Sequence, residues 1–202
     1  LSEVRNAGVA RIRGIEIDFG YSAHGLTFNL GGSYNDAEIR EDFCAIANPT
    51  FDCTINVDLD GSGAIDDSSE FNALLAPAGT RLPITPKFKA NGVVRYEFPI
   101  FGTWDAHVQG AFSHVSSRRS DLRTFENALK GTLGAFTTAD FSIGADNGTY
   151  RVELFATNLF DSNGVLSTNV QCLESTCGDP DGLSPTGGIF YDTVLPLLAG
   201  AG

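Results

Sequence analysis

The chain has 202 residues, enough for one sizeable domain, and an apolar fraction of 42% that is ordinary for a globular protein. Its 25 acidic residues against 13 basic ones give a formal charge of −12, which argues against nucleic-acid binding, a function that needs a basic face. No apolar run approaches the roughly 18 residues of a membrane helix, and the most apolar stretch, Val194 to Ala201, is too short.

In chain order, the first strand is expected from about Val9 to Tyr21. Ile15, Ile17, Phe19 and Tyr21 share one face, and Glu16, Asp18 and Gly20 share the other. Ser22 to Gly25 is a tight turn. The second strand, Leu26 to Asn35, sets Leu26, Phe28, Leu30, Gly32 and Tyr34 opposite Thr27, Asn29, Gly31, Ser33 and Asn35. A long loop covers 36–85. Pro86 to Phe98 is the clearest strand: Phe88, Ala90, Gly92, Val94, Tyr96 and Phe98 alternate with Lys87, Lys89, Asn91, Arg95 and Glu97, with Val93 the apolar interruption. Pro99 to Gly102 turns it into Thr103–Ser117, where Trp104, Ala106, Val108, Gly110 and Phe112 oppose Asp105, His107, Gln109 and Ser113. A second loop covers 118–137. The fifth strand, Thr138 to Asp146, sets Phe141 and Ile143 against Asp140 and Ser142, and Asn147-Gly148 reads as a two-residue hairpin turn. The sixth, Tyr150 to Leu159, sets Val152, Leu154 and Ala156 against Arg151, Glu153 and Thr157, with Phe155 breaking the polar face. A third loop covers 160–188.

Turn and long loop thus alternate through the chain. A soluble sandwich has little reason for this, whereas a transmembrane β-barrel has short turns on one side of the membrane and long loops on the other. Tyr21, Phe98, Phe101, Trp104 and Tyr150 gather beside the short turns, as an interfacial girdle requires. The fold expected is all-β: one antiparallel meander of about six barrel strands plus a stub, with sequential neighbours paired. Its apolar face should carry Ile15, Ile17, Phe28, Leu30, Val94, Tyr96, Val108, Phe112, Phe141, Ile143, Val152 and Leu154. All of 1–202 is expected to be one barrel region.

Several stretches carry a family resemblance. Asn6-Ala7-Gly8-Val9-Ala10-Arg11-Ile12-Arg13-Gly14-Ile15-Glu16 resembles the "NAG-x-A-x-x-x-G-x-E" strand of TonB-dependent outer-membrane receptors. Ser33-Tyr34-Asn35-Asp36-Ala37-Glu38-Ile39 is similar to the end of that family's next strand, and Arg81-Leu82-Pro83-Ile84-Thr85-Pro86-Lys87-Phe88 to its return from a long loop. Thr138 to Gly144 and Glu153 to Asp161 resemble the penultimate hairpin, with Asn158-Leu159-Phe160-Asp161 the most specific piece. The resemblance covers roughly Ala7 to Asp161. It implies a 22-stranded barrel with a plugged lumen, set in the bacterial outer membrane and surrounded by its lipid. It implies uptake of a scarce nutrient (siderophore, cobalamin or saccharide type) bound at the extracellular loops, with energy delivered by TonB through a plug domain. This chain matches the last third of such a barrel, so plug and TonB box are expected upstream. The first residue is Leu1 and no signal peptide follows, so the N-terminus reads as a cut end. Tyr191 to Pro196 starts the approach to a closing strand, but Leu197 to Gly202 departs from the family pattern. The closing strand is expected to be missing or altered, and the chain alone neither to close nor to transport.

Ten of the acids lie between Asp36 and Glu70, against one base, Arg40. Within them, Asp58-Leu59-Asp60-Gly61-Ser62-Gly63-Ala64-Ile65-Asp66 resembles a calcium loop: oxygens at positions 1, 3 and 5, glycine at 6, an acid at 9. Asp58, Asp60, Ser62, the Ala64 carbonyl, Asp66 and Glu70 are the candidate Ca2+ ligands. Position 12 is Ser69, and Glu70 falls one residue late; a solvated Asp/Gly turn is the other reading. Cys44 with Cys53, and Cys172 with Cys177, read as two local disulfides in long loops, free thiols being the alternative. Neither spacing is CxxC and His24, His107 and His114 lie on strands or turns, which argues against a structural zinc. No enzyme is expected. Asp105, His107 and Ser113 share a face, but His107 and Ser113 stand roughly 20 Å apart on a regular strand, too far for a triad. Asn147-Gly148-Thr149 is a formal glycosylation sequon better explained by its turn. The competing reading of the whole chain is a soluble calcium-binding all-β adhesion or carbohydrate-binding module.

Overall fold

The period-two alternation builds one continuous sheet. The computed structural model describes residues 8–46, 50–66, 70–170 and 194–198. Six strands carry the sheet: β1 (Ala10–Ala23), β2 (Leu26–Ile39), β5 (Phe88–Pro99), β6 (Asp105–Val115), β9 (Phe136–Asp146) and β10 (Arg151–Ala156). They lie in the order β1-β2-β5-β6-β9-β10, each antiparallel to the next, so sequence neighbours in the sheet are spatial neighbours. The sheet is open; among the described residues β1 and β10 each have a partner on one side.

Register transmits the alternation from strand to strand. Phe19 faces Leu30, Leu30 faces Gly92, and Gly92 faces Phe112. One row nearer the short turns, Tyr21, Phe28, Val94, Gly110 and Phe141 line up. The next row is Leu26, Tyr96, Val108, Ile143 and Leu154. A one-residue slip anywhere would move a whole strand's apolar set to the other face. All twelve side chains expected on the apolar face share one face in this register. That face is uncovered: Ile15, Ile17 and Leu154 keep 65%, 64% and 71% of their surface open. A sandwich would bury these residues against a second sheet, and no described element packs on them, which removes the soluble-module architecture. Most of the few buried apolar residues, among them Ala37, Ile39, Ala76 and Leu133, sit at the loop end instead, with Ala106 the exception near the short turns.

Aromatics mark both edges of the apolar band. Tyr96 and Phe98 stack with centroids 5.5 Å apart near the short turns. Tyr34 and Phe88 are register partners near the loop end, where Phe88 also packs on His114 at 5.9 Å. From Phe88 to Phe98 is about 33 Å along the strand at roughly 3.3 Å per residue. A tilt of about 40° reduces this to a height of about 25 Å, that of the apolar band of an outer-membrane barrel.

Several boundaries differ from those read in the sequence. β2 runs to Ile39 rather than Asn35, because Arg13 and Arg11 on β1 face Asp36 and Glu38, and opposite charges across a strand pair hold the ladder together. Trp104 and Thr103 belong to the turn before β6, where the Ile100 N–H donates to the Trp104 carbonyl and the Trp104 N–H to that of Phe101. The connection after β9 has four residues, not two. The Asn147 side-chain carbonyl accepts the N–H groups of Thr149 and Tyr150 (3.0 and 2.7 Å), and this local pairing replaces the tighter turn. The β1–β2 turn does have two residues, His24 and Gly25, both with positive φ (52° and 80°), the geometry that matches strand twist. β10 stops at Ala156 instead of Leu159, because Asn158 takes φ 48° and turns the chain away.

The long loops are structured. Loop 36–85 contains a two-stranded ribbon of β3 (Phe43–Cys44) and β4 (Leu74–Ala76). Loop 118–137 contains β7 (Arg118–Arg119), helix α1 (Thr124–Lys130) and β8 (Thr132–Leu133), with β7 paired to β8, and β9 begins at Phe136. β11 (Val165–Val170) lies in loop 160–188 and pairs antiparallel with β12 (Val194–Leu198). The stub expected near Tyr191–Pro196 thus falls partly in β12, and its described partner is β11 rather than a strand of the main sheet. No described helix is long and apolar enough to cross a membrane.

Candidate functional site

The sheet offers two places for chemistry: the loop layer at one end and the polar face below it. The loop layer begins with the chain crossing from β3 to β4. A disulfide joins Cys44 to Cys53 across Cα atoms 5.3 Å apart. Asn72 ties three segments of this loop together. Its carbonyl accepts the Ile46 N–H (2.9 Å), its amide donates to the Asp52 carbonyl (3.1 Å), and its own N–H donates to Asn56 (2.9 Å). Cys172 and Cys177 lie outside the described residues.

Glu70 is the buried hub, with 1% of its surface exposed. Its Oε1 accepts the Leu59 N–H at 2.9 Å and its Oε2 the Asp66 N–H at 3.0 Å. These bonds fold 58–66 against Glu70, and the carboxylates of Asp58, Asp60 and Glu70 come within 4.8 Å of one another. The remaining candidates are placed differently. Ser62 Oγ donates to the Ala64 carbonyl (3.1 Å), and Asp66 lies outside the three-carboxylate group although its N–H holds Glu70. Asp58 accepts the N–H groups of Gly63 and Gly61 at 2.8 and 2.7 Å. The Gly63 bond above all, with that of Gly61, holds its carboxyl below the usual range against partial desolvation. Position 12 of the calcium pattern, Ser69, lies outside the described residues. A Glu at position 13 nevertheless reaches the two aspartates, which spacing alone does not reveal.

The second loop is organised by Asp121. Arg123 and Lys130 both donate to its carboxylate, at 3.2 and 2.7 Å. Burial opposes its ionisation, but the two cations outweigh burial and hold the carboxyl at about 2. Arg118, 3% exposed, lies over the Phe136 ring at 5.8 Å. It donates to the Val165 and Leu166 carbonyls at 2.7 and 3.2 Å, joining the second loop to β11. Desolvation lowers its pKa. Neither Asn72 nor Arg118 has a motif around it; both act through contacts 16 to 48 residues away in sequence.

The polar face carries the side chains that alternate with the apolar ones. One row sets Asp18, Gly31, Asn91, Ser113 and Thr138 side by side. Nearer the short turns, Arg95 donates to Glu97 (2.7 Å) and to Gln109 (3.3 Å), and Arg151 to Asp146 (2.7 Å). Arg95, Glu97, Asp146 and Arg151 border a cavity of about 740 Å³ that also meets Asp105, His107 and Glu153. His107 and Ser113 lie six residues apart on regular β6, so no triad forms.

A sheet with one face suited to lipid, one suited to water, short turns at one end and folded loops at the other is the wall of a transmembrane β-barrel. Residues 2–160 match the family model described as TonB dependent receptor-like, beta-barrel. The chain belongs to the TonB-dependent receptor β-barrel family, whose members are outer-membrane receptors and transporters. No curated protein and no solved structure matches it.

Proposed function

We propose that this chain supplies wall strands and extracellular loops to a bacterial outer-membrane receptor that imports a scarce nutrient of the siderophore, cobalamin or saccharide type. TonB would supply the energy through a plug domain. The two-faced register is the observation that carries this reading: between the short turns and the loop end, the rows are mostly apolar on one face and largely polar on the other. The folded loops above Ile39, Val115 and Ala156 are then the surface that first meets the nutrient. Deleting the gene and measuring growth with each nutrient class as the sole source tests the reading. Loss of growth on one class alone identifies the substrate class; unchanged growth and uptake on all three overturns it.

We also propose that Asp58, Asp60 and Glu70 hold Ca2+ weakly, aided by Ser62, the Ala64 carbonyl and Asp66. The three converging carboxylates support this, since a divalent cation relieves their mutual repulsion. The cation would stiffen the loop beside the Cys44–Cys53 bridge rather than take part in any reaction.

A further inference from the structure

We propose that His107 and Glu153 form a two-ligand site for a late first-row divalent cation of the Zn2+ class, on the polar face near the short turns. The row concerned is Glu97, His107, Gly144 and Glu153, running across β5, β6, β9 and β10. His107 and Glu153 are therefore two strands apart, too far for ordinary side-chain contact across a sheet. Gly144 removes the obstacle. A Cβ at that position would stand 2.6 Å from His107 Cε1 and 2.9 Å from the Val152 carbonyl, so the imidazole lies over the one residue that leaves it room.

The ring thereby reaches β10, where Nε2 stands 3.5 Å from Glu153 Oε1. Nε2 is shielded from solvent and makes no hydrogen bond. A buried ring nitrogen without a hydrogen-bond partner is a group that calls for one. The 3.5 Å separation is long for a hydrogen bond to a carboxylate. It is close to what two ligands of one tetrahedral cation require: bonds of about 2.05 Å at about 109° place donor atoms about 3.3 Å apart. An imidazole with a carboxylate selects zinc-like cations over calcium or magnesium, which take oxygen alone. Glu97 stands opposite His107 in the register and faces the same cavity of about 740 Å³, which gives a cation an entry route and leaves room for water as the remaining ligands. The site is independent of the acidic loop, which lies at the other end of the strands and offers only oxygen.

The test is calorimetric titration of Zn2+ into the protein purified from outer membranes in detergent, with calcium in excess so that the acidic loop is already occupied. One equivalent should bind, with a dissociation constant on the order of 10–100 µM. His107→Gln and Gly144→Ala should each weaken binding at least about tenfold, the second while retaining every ligand, and Glu153→Gln should do the same. Glu153 is 44% exposed at its side chain, so its amide variant folds even where a change at the shielded His107 does not. His114→Gln, on the opposite face, should bind as the parent does. No zinc heat up to ~1 mM, or binding unchanged in the Glu153→Gln and His107→Gln variants, overturns the proposal.

Discussion

Val93 and Val94 are adjacent in sequence and of one chemistry, yet the register puts them in different solvents. Val94 lies in the apolar row with Phe28 and Gly110, four residues from Phe98 and six from Phe88. Four residues at roughly 3.3 Å, tilted by about 40°, place it about 10 Å above the lower aromatic edge. In a band about 25 Å tall this is within about 3 Å of the midplane. Val93 faces Asn29 and Ala111 on the polar side. Val94→Arg should therefore cost about 2–4 kcal/mol, the penalty for a cation at mid-bilayer, and lower the folded-to-unfolded ratio by about 30- to 900-fold. Val93→Arg places its guanidinium toward water and should cost under about 1 kcal/mol. Urea titration of the assembled receptor in vesicles, read by heat-modifiable mobility on gels, gives both numbers. Equal costs, or a larger cost for Val93→Arg, would refute the assignment of the two faces and with it the barrel reading.

Replacing Cys44 and Cys53 by Ser should loosen the first loop by about 3 kcal/mol, from a closed loop of about ten residues, and protease nicking between β3 and β4 should accelerate without change in assembly. Acidification tests the second loop. The Asp121 carboxyl titrates at about 2 in the folded state against about 3.9 unfolded, so its contribution is present above pH 4 and is lost as pH falls through 4 toward 2. Full linkage of that shift is about 2.6 kcal/mol, and solvent screening reduces it to on the order of 1; Asp121→Asn should flatten hydrogen exchange in α1 across that window. Calcium should slow proteolysis within 50–66 relative to chelator, and Asp58→Asn should abolish the difference; identical digestion in both media would leave the segment as a solvated turn. Gly25→Ala should cost about 1–2 kcal/mol, since a side chain at φ 80° is strained and its Cβ would strike the Glu97 carbonyl oxygen; unaltered urea midpoints would refute this.

The six sheet strands were legible because their information is local. Period-two alternation in Phe88–Phe98 or Ile15–Tyr21 needs no knowledge of neighbours, and short turns between such runs leave sequential pairing as the simple topology. What escaped depends on contacts distant in sequence. β2 continues to Ile39 because of Arg11 and Arg13 on β1, and β7 pairs with β8 across α1. At Asn147 the turn read from the dipeptide gave way to a side-chain carbonyl that captures two backbone donors. In the site, the acidic loop was visible as oxygens at alternate positions. Glu70 stood among its candidate ligands, but its place as the buried acceptor of the Leu59 and Asp66 N–H groups was not legible, because that pairing exists only once the loop folds back on it. His107 and Glu153 are 46 positions apart, joined only through register and the small size of Gly144.

The two faces together constrain how this sheet can exist. In water the apolar rows from Ile15 across to Leu154 stay exposed, a patch far larger than soluble monomers tolerate. In lipid alone the polar rows through Asp18, Arg95 and Glu153 are out of place, and each charge costs several kcal/mol. The outer edges of β1 and β10 add rows of backbone donors and acceptors that hydrocarbon cannot satisfy. A sheet that needs lipid on one side, water on the other and partners along both edges has one stable environment: a closed cylinder separating bilayer from an aqueous lumen. Cross-strand glycines fit this geometry. Gly92 lies in an apolar row beside Phe112, whose ring a Cβ at that position would strike, so the small residue lets the ring lie flat against the wall. The same device on the inner face, at Gly144, lets an imidazole cross a strand. Short turns leave the strand ends little freedom at one rim, whereas the disulfide, Glu70, Asp121 and Arg118 must hold the loops at the other. Among the described residues, the Cys44–Cys53 bridge and the buried Glu70 and Arg118 all lie at that loop rim, where alternation alone cannot specify a structure.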